Sequence, residues 1–294
     1  MNKAEDKVKR IKAGPLDITV TAVMIIICVL SLVPIYVLVV NATRSTIDIT
    51  GSGVSFIPGL NLIDNIKTML DWSASGKVQY DALTGYINSA IIAFSCTILT
   101  VVFSGATAYG VVVYDFRLKG PAYTFILAVM MVPVQVTSVG FYQFMNKIGL
   151  TDNFLPLIIP AIAAPQVVFF MRQYMKSSFP LEIVEAARID GSNEFRTFFT
   201  IGIPMMKPAF AVQAIFAFVA SWNNYYTPSM ILISREPKQM TLPMMVNTIL
   251  SNDKLADFGA KYAAIMLSII PVVVVYFIFS KFIVEGVALG GVKE

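Results

Sequence analysis

The sequence predicts an all-α membrane protein of six transmembrane helices, and three observations predict it. Hydrophobic residues make up 56% of the 294 and charged residues only 14%, with a mean hydropathy of +0.72; a soluble domain carries about 25% charge. Six apolar runs, at residues 18–40, 84–113, 121–145, 154–175, 205–232 and 261–282, are each long enough to cross the hydrocarbon core. Their central parts contain no Asp, Glu, Lys or Arg.

Residues 1–17 form a basic start, with Lys3, Lys7, Lys9, Arg10 and Lys12 ahead of Gly14-Pro15. The first run, 18–40, spans roughly 35 Å at helical rise, longer than a signal h-region and without a clean cleavage site, so it reads as a retained helix. Pro34 is expected to kink it. Residues 41–83 are polar and turn-rich, an extracytoplasmic loop with a short surface helix around Asn61–Trp72. Tyr114–Gly120 is too short for anything but a tight connection. Cys28 and Cys96, both inside apolar runs, read as small buried hydrophobes, and Met130-Met131, Met171, Met205-Met206 and Met244-Met245 as adaptable packing. Prolines 133, 156, 160, 165, 208, 228 and 271 fall within or beside the later runs. They fit kinked helices around a pathway and ordinary bundle irregularity equally, since packed neighbours satisfy the backbone groups they free.

Charge orients the bundle. With the N-terminus inside, the inner segments hold fourteen basic residues and the outer ones eight, accounting for all 22. The positive-inside rule then puts both termini in the cytoplasm, with residues 284–294 as a cytoplasmic tail.

Composition also excludes functions. Histidine is absent, which removes the commonest metal ligand, general base and proton relay. No G-x-x-x-x-G-K-[ST] cradle for a nucleotide phosphate occurs. Nothing here catalyses by itself, and nothing reads as nucleic-acid binding. An ion-coupled carrier usually keeps a buried ionisable group on its path; the uncharged spans point to an energy source outside the bilayer. A stand-alone secondary carrier or channel built on backbone carbonyls, and a non-transporting scaffold, remain as alternatives.

The one long charged, amphipathic stretch between spans is Pro180–Pro204. Ser178 is expected to cap a helix opening at Pro180, with Glu182 and Glu185 near its positive end. Gly191 breaks the pattern, Ser192 offers a second cap, and Phe195, Phe198 and Phe199 fall on one face at i, i+3, i+4. Two short helices hinged at a glycine and carrying an aromatic ridge suit a groove on another protein.

Glu185-Ala186-Ala187, Gly191, nine residues, then Ile201-Gly202-Ile203-Pro204 resembles the EAA signature of ABC-importer permeases, with Ile203 where that family usually has Leu. Asp190-Gly191, the Trp222-Asn223 pair and the tail Val284-Glu285-Gly286 to Gly290-Gly291-Val292-Lys293 are similar to the carbohydrate branch, like the smaller permease of the maltose transporter. The likeness runs from about Thr84 to the C-terminus.

The resemblance implies a type I ABC importer permease fold, with a permease core over 84–283 in the inner membrane. Its cytoplasmic coupling helix would sit in a cleft of an ATPase subunit, presenting Glu185, Ala186, Ala187, Asp190, Gly191, Phe195, Phe198 and Pro204. It implies a sugar importer, for di- or oligosaccharides, with a non-sugar solute as the alternative. The implied partners are a second homologous permease, two ATP-binding cassette subunits, an extracytoplasmic solute-binding protein and membrane lipid. No cofactor would bind this chain; ATP and Mg would sit on the ATPases. Trp222, Asn223 and Tyr226 are candidates for the solute path, because rings stack on sugar faces and amides bind hydroxyls. An interfacial aromatic belt or plain packing explains them as well. The long outer loop 234–260 reads either as the docking place of the binding protein or as a lid resting on its own bundle.

Overall fold

The computed structural model describes residues 15–74, 81–252 and 255–290. The basic start and the last four residues of the tail lie outside the described residues. Among the described residues there are helices and no strands. In chain order these are α1 (Pro15–Ala42), α2 (Thr46–Ser52), α3 (Leu62–Ala74), α4 (Ala82–Val113), α5 (Lys119–Met130), α6 (Val134–Lys147), α7 (Leu155–Ile158), α8 (Pro165–Ser178), α9 (Leu181–Ile189), α10 (Glu194–Thr197), α11 (Ile203–Met205), α12 (Lys207–Trp222), α13 (Tyr226–Ile231), α14 (Leu242–Leu250) and α15 (Phe258–Gly290). A 3₁₀ turn, Ile159–Ile162, follows α7, and a π turn, Phe198–Gly202, follows α10.

Four helical runs are long and apolar enough to cross a membrane, Asp17–Ala42, Ala82–Val113, Leu155–Ser178 and Phe258–Ser280, and six result if each of two bent pairs is one span. The third expected span, 121–145, bends by 94° between α5 and α6. Pro133 causes it: the ring excludes a helical Val132 and supplies no N–H. The Met131 and Val132 N–H groups close instead on the carbonyls of Ala128 and Val129. The fifth expected span, 205–232, is likewise not one helix. α12 ends at Trp222, and the Asn224 side chain accepts from the Thr227 N–H at 3.2 Å at the start of α13, whose first turn holds Pro228, where a missing N–H is tolerated. The apolar segment meets the preceding loop at an 81° bend between Met205 and Lys207. By contrast α1 runs unbroken through Pro34, where a kink is expected from sequence, and α15 runs unbroken through Pro271 to Gly290, into the expected tail.

The chain divides into two compact units, residues 1–68 with 256–266, and residues 69–255 with 267–294. In the first, the apolar side chains of α1 are largely exposed, Cys28 with them, contrary to the expectation that Cys28 is buried. The second is organised around α4, which packs against α8, α12, α14 and the 3₁₀ turn. Gly105 lets α12 come close: a Cβ there would fall on the Phe210 ring.

A ladder on α4 explains how proline-rich backbone is tolerated here. Cys96, Thr100 and Ser104, spaced by four on one face, donate to the carbonyls of Leu157 (3.2 Å), Ala161 (3.1 Å) and Ala164 (3.4 Å). Pro165 opens α8 at its first position, where a missing N–H costs nothing, and the carbonyls of the irregular stretch before it take their donors from α4. Met171, Met206, Met244 and Met245 are buried, as packing methionines should be, whereas Met131 stands exposed at the α5–α6 bend.

Candidate functional site

The stretch after α8 is built by its caps. Pro180, not Ser178, is the N-cap of α9 and makes no side-chain cap bond; the hydroxyls of Ser177 and Ser178 face each other at 3.1 Å. At the other end the Gly191 N–H bonds the Arg188 carbonyl (3.0 Å) and the Ser192 N–H the Ala187 carbonyl (2.9 Å). That double closure is a Schellman motif, whose C′ position needs a left-handed residue. Gly191 provides it with φ +80. Asn193, one residue later than the expected Ser192, caps α10 by accepting from the Arg196 N–H at 2.8 Å. Ser192 faces inward instead, its hydroxyl taking the hydrogen of buried Thr197 at 2.9 Å.

The hinge is then clasped. Arg188 Nε donates to Glu194 Oε1 at 2.7 Å, and the Tyr114 hydroxyl, from the connection after α4, donates to Glu194 Oε2 at 2.7 Å. These contacts, Arg188 first and then Tyr114, hold the Glu194 carboxyl below its ordinary range. Burial, and then the bond to Glu194, pushes the Tyr114 phenol up to about 12. The pair is half exposed, so its contribution to stability is small. Its effect is geometric: the end of α4, the end of α9 and the start of α10 share one carboxylate.

The expected aromatic ridge is split. Phe198 is buried against Tyr109, ring centroids 5.2 Å apart, with Phe179 on the far edge of that tyrosine. Phe195 is 76% exposed and packs only partly, on half-exposed Phe199 at 4.7 Å. The π turn at Phe198–Gly202 widens the helix there, so the three rings do not form a single outward face. Around them Glu185, Ala186, Asp190, Gly191 and Pro204 are exposed, while Ala187 is buried. Ile189, at 87% exposure, stands outward close to the hinge. The result is a short charged helix ending beside two largely exposed apolar side chains, Ile189 and Phe195.

A cavity of about 630 Å³ opens between α4, the 3₁₀ turn, α8 and α12. Its polar lining is Thr100, Gln166, Gln213, Ser221 and Asn224, with Phe170 and Phe216 among its apolar walls; no charged side chain lines it. Gln213 is buried in the middle of α12. Sequence reasoning missed this group, although a glutamine inside the run AFAVQAIFAFV is a visible exception to its apolar surroundings. The three path candidates do not share a wall. Trp222 is 3% exposed, stacked on Phe218 at 5.6 Å, with its indole N–H on the Ser268 carbonyl at 3.1 Å. Asn223, the C-cap of α12, lines a smaller pocket of about 340 Å³ with Trp222 and Tyr225. Tyr226 is not part of it, and its hydroxyl lies 2.9 Å from Ser138 Oγ.

The segment from Lys238 to Ile249 rests on α4. Asn88 Nδ2 donates to the carbonyls of Lys238 and Met240, and Ser89 Oγ accepts from the Leu242 N–H. Met240, Leu242, Met245 and Ile249 are buried. The exposed remainder carries Arg235 and the Glu236–Lys238 pair. Among the described residues no group of three or more His, Cys, Asp or Glu could hold a metal ion.

Residues 101–288 match the family described as binding-protein-dependent transport system inner membrane component. This chain belongs to that family. The permease is 30% identical over 282 residues to the arabinooligosaccharides transport system permease protein AraQ of Bacillus subtilis, covering 94% of this chain and 95% of that one. It is 31% identical over 277 residues to the lactose transport system permease protein LacG of Rhizobium radiobacter, covering 94% and 96%. It is also 29% identical over 273 residues to the sn-glycerol-3-phosphate transport system permease protein UgpE of Yersinia pseudotuberculosis, covering 92% and 95%. A bacterial ABC transporter involved in importing the acidic polysaccharide alginate shares the fold, with a TM-score of 0.71 at 24% identity over 91% of this chain and 96% of that one. The permease is thus an all-α, type I ABC importer permease and a multi-pass inner-membrane component.

Proposed function

We propose that this permease is one of the two membrane subunits of an ATP-driven importer of a neutral carbohydrate, a di- or oligosaccharide. A second permease completes the pathway, two ATPases drive it and a solute-binding protein delivers the sugar outside. The observation that carries the solute class is the lining of the 630 Å³ cavity: amides and hydroxyls beside aromatic walls, without a charge. Its volume lies in the range of small-molecule sites, about 300–1,000 Å³. A phosphate ester or an acidic polysaccharide would need cationic groups that this lining lacks, so the sugar relatives are the better guide. In this reading Thr100, Gln213 and Asn224 meet the solute, and Trp222, Asn223 and Tyr226 support the outer end of the bundle.

The segment 180–204 faces the cytoplasm and receives the ATPases. Glu185, Ala186 and Asp190 present a charged ridge; Ile189 and Phe195 supply the apolar anchors that fill a cleft. Ala187 and Phe198 act from beneath by fixing the loop on its bundle, and exposed Pro204 closes the docking segment. Closure of the ATPases pushes α9, and the Glu194 clasp passes the push to α4, a rigid-body switch between inward- and outward-facing states. Residues 1–17 and 284–294 are cytoplasmic, and 41–83 extracytoplasmic, around a core at 84–283.

The test is reconstitution with the partner subunits in proteoliposomes. Glu185→Lys should leave insertion intact, lower solute-stimulated ATP hydrolysis and uptake together, and recover in part when the facing charge in the ATPase is reversed. Uptake by this chain alone, driven by an ion gradient and indifferent to ATP, would replace the proposal with a secondary carrier. A cysteine at Ser192 should label only from the cytoplasm and one at Ser251 only from outside.

A further inference from the structure

The first unit carries an exposed apolar surface outside the 180–204 segment and the 630 Å³ cavity. After α1 ends at Ala42 the chain makes α2 and then folds back as an irregular strap, residues 53–61. From Ile49 to Ile63 there is no charged residue, although Asp48 and Asp64 flank the stretch. Val54, Phe56, Ile57, Leu60 and Ile63 are all exposed, Ile57 at 75% and Leu60 at 99%.

Hydrogen bonds fix where the strap lies along α1. Asn41 holds both backbone groups of Ser55, its Nδ2 donating to the carbonyl at 3.1 Å and its Oδ1 accepting from the N–H at 3.2 Å. The Tyr36 hydroxyl donates to the Phe56 carbonyl at 2.8 Å, and the two rings stack at 6.5 Å. Thr43 takes the Gly59 N–H on its hydroxyl (2.9 Å) and the Asn61 N–H on its carbonyl (2.8 Å). Buried Arg44 donates to the Gly53 carbonyl at 2.8 Å. Tyr36 lies six residues before the end of α1 and Asn41 one, so Ser55 and Phe56 lie beside its last two turns. Gly59 and Asn61, at the level of Thr43, lie outside it.

We propose that the strap is an interfacial membrane anchor, with Phe56 and Ile57 in the acyl region of the leaflet where α1 ends and Leu60 nearer the headgroups. Three features select lipid over water or a protein partner. Val54, Phe56 and Ile57 of the strap are exposed, as are Ile35, Tyr36 and Val39 of the last turns of α1, and Phe56 meets that surface at Tyr36. Tyr36 stacked on Phe56 forms an aromatic pair of the kind enriched at bilayer interfaces. Both backbone groups of Ser55 are taken up by Asn41, the Phe56 carbonyl by Tyr36 and the Ile57 N–H by Ser55 Oγ, pairing that irregular backbone needs where water is scarce. The segment is accordingly more than a connector: it sets how deep α1 sits.

The test uses the assembled transporter in phosphatidylcholine proteoliposomes, with Cys28→Ala to remove the exposed native thiol. An environment-sensitive fluorophore is attached at Ile57→Cys, at Leu60→Cys, or at Asp64→Cys as the exposed, charged reference. All three side chains are largely free of packing, so substitution spares the fold. Emission at 57 should be blue-shifted, and quenched several-fold more by lipid bearing a nitroxide high on its acyl chain than by aqueous iodide. Position 60 should be intermediate and position 64 quenched by iodide. Iodide quenching at 57 equal to that at 64 would place the strap in water. Shielding of 57 from both quenchers would mean a protein subunit covers it. Either result overturns the anchor while leaving the proposed transport function untouched.

Discussion

Replacing Gly191 isolates backbone conformation from every other effect. A Cβ built there meets nothing within 4 Å, so a side chain costs only the left-handed backbone at φ +80. For an ordinary L-residue that is about 1–2 kcal/mol, which lowers the population of the observed hinge about 5–30-fold. Asparagine tolerates the region, so Gly191→Asn should stay near wild type, with Gly191→Ala below it and β-branched Gly191→Val lower still. Gly191→Pro is worst: its φ is fixed near −65°, and it loses the N–H that bonds Arg188, a further cost of about 1 kcal/mol. The assay pairs solute-stimulated ATP hydrolysis with uptake in the reconstituted complex. Amide hydrogen exchange at Ser192, whose bond to Ala187 reports the Schellman closure, is the local readout. The order Asn, Ala, Val, Pro is the signature of a conformational cause. Equal loss in Asn and Ala would refute the strain argument, and normal hydrolysis and uptake in Pro would reduce the loop to a connector.

Other consequences follow from the same geometry. Gln213→Leu should raise the KM for uptake about tenfold (about 1.4 kcal/mol) for the transported sugar and leave basal hydrolysis unchanged; an unchanged KM would remove Gln213 from the path. Trp222→Ala should instead destabilise the permease by about 3–5 kcal/mol through lost core packing, read as a lower thermal midpoint, with no preference among sugars. The clasp titrates at both ends. Glu194 is depressed below 4.5, so its contribution is present above that value and lost as pH falls through the lowered pKa. Tyr114 is raised to about 12, so its contribution is complete below 10 and lost as pH rises towards 12. Amide exchange of α9–α10, corrected for intrinsic rates, should rise at both extremes, and Glu194→Gln should flatten the acid limb. Gly105→Ala should cost about 1–3 kcal/mol through overpacking on Phe210, recovered largely by Phe210→Leu; thermal unfolding of the purified permease measures both.

The amino-acid sequence by itself determined what depends on local chemistry. Apolar runs free of charge at their centres have one stable environment, so the helical membrane class was legible from composition. Gly191 was legible as the hinge because the residues around it leave only glycine suited to a left-handed turn. The tertiary structure alone decided which prolines break a span. Pro34 and Pro271 lie inside unbroken helices, Pro133 stands at the break between α5 and α6, Pro165 and Pro228 sit in the first turns of α8 and α13, and the carbonyl left free at Ala161 is taken by Thr100. Whether a freed carbonyl finds a donor depends on a helix some sixty residues away, which no local pattern records. The same holds for the rings after Gly191: their spacing promised one ridge, but a π turn and the Tyr109 contact turned Phe198 inward and left Phe195 outside. The cavity, too, exists only once α12 lies on α4, because Thr100, Gln213 and Asn224 become neighbours through packing, not sequence.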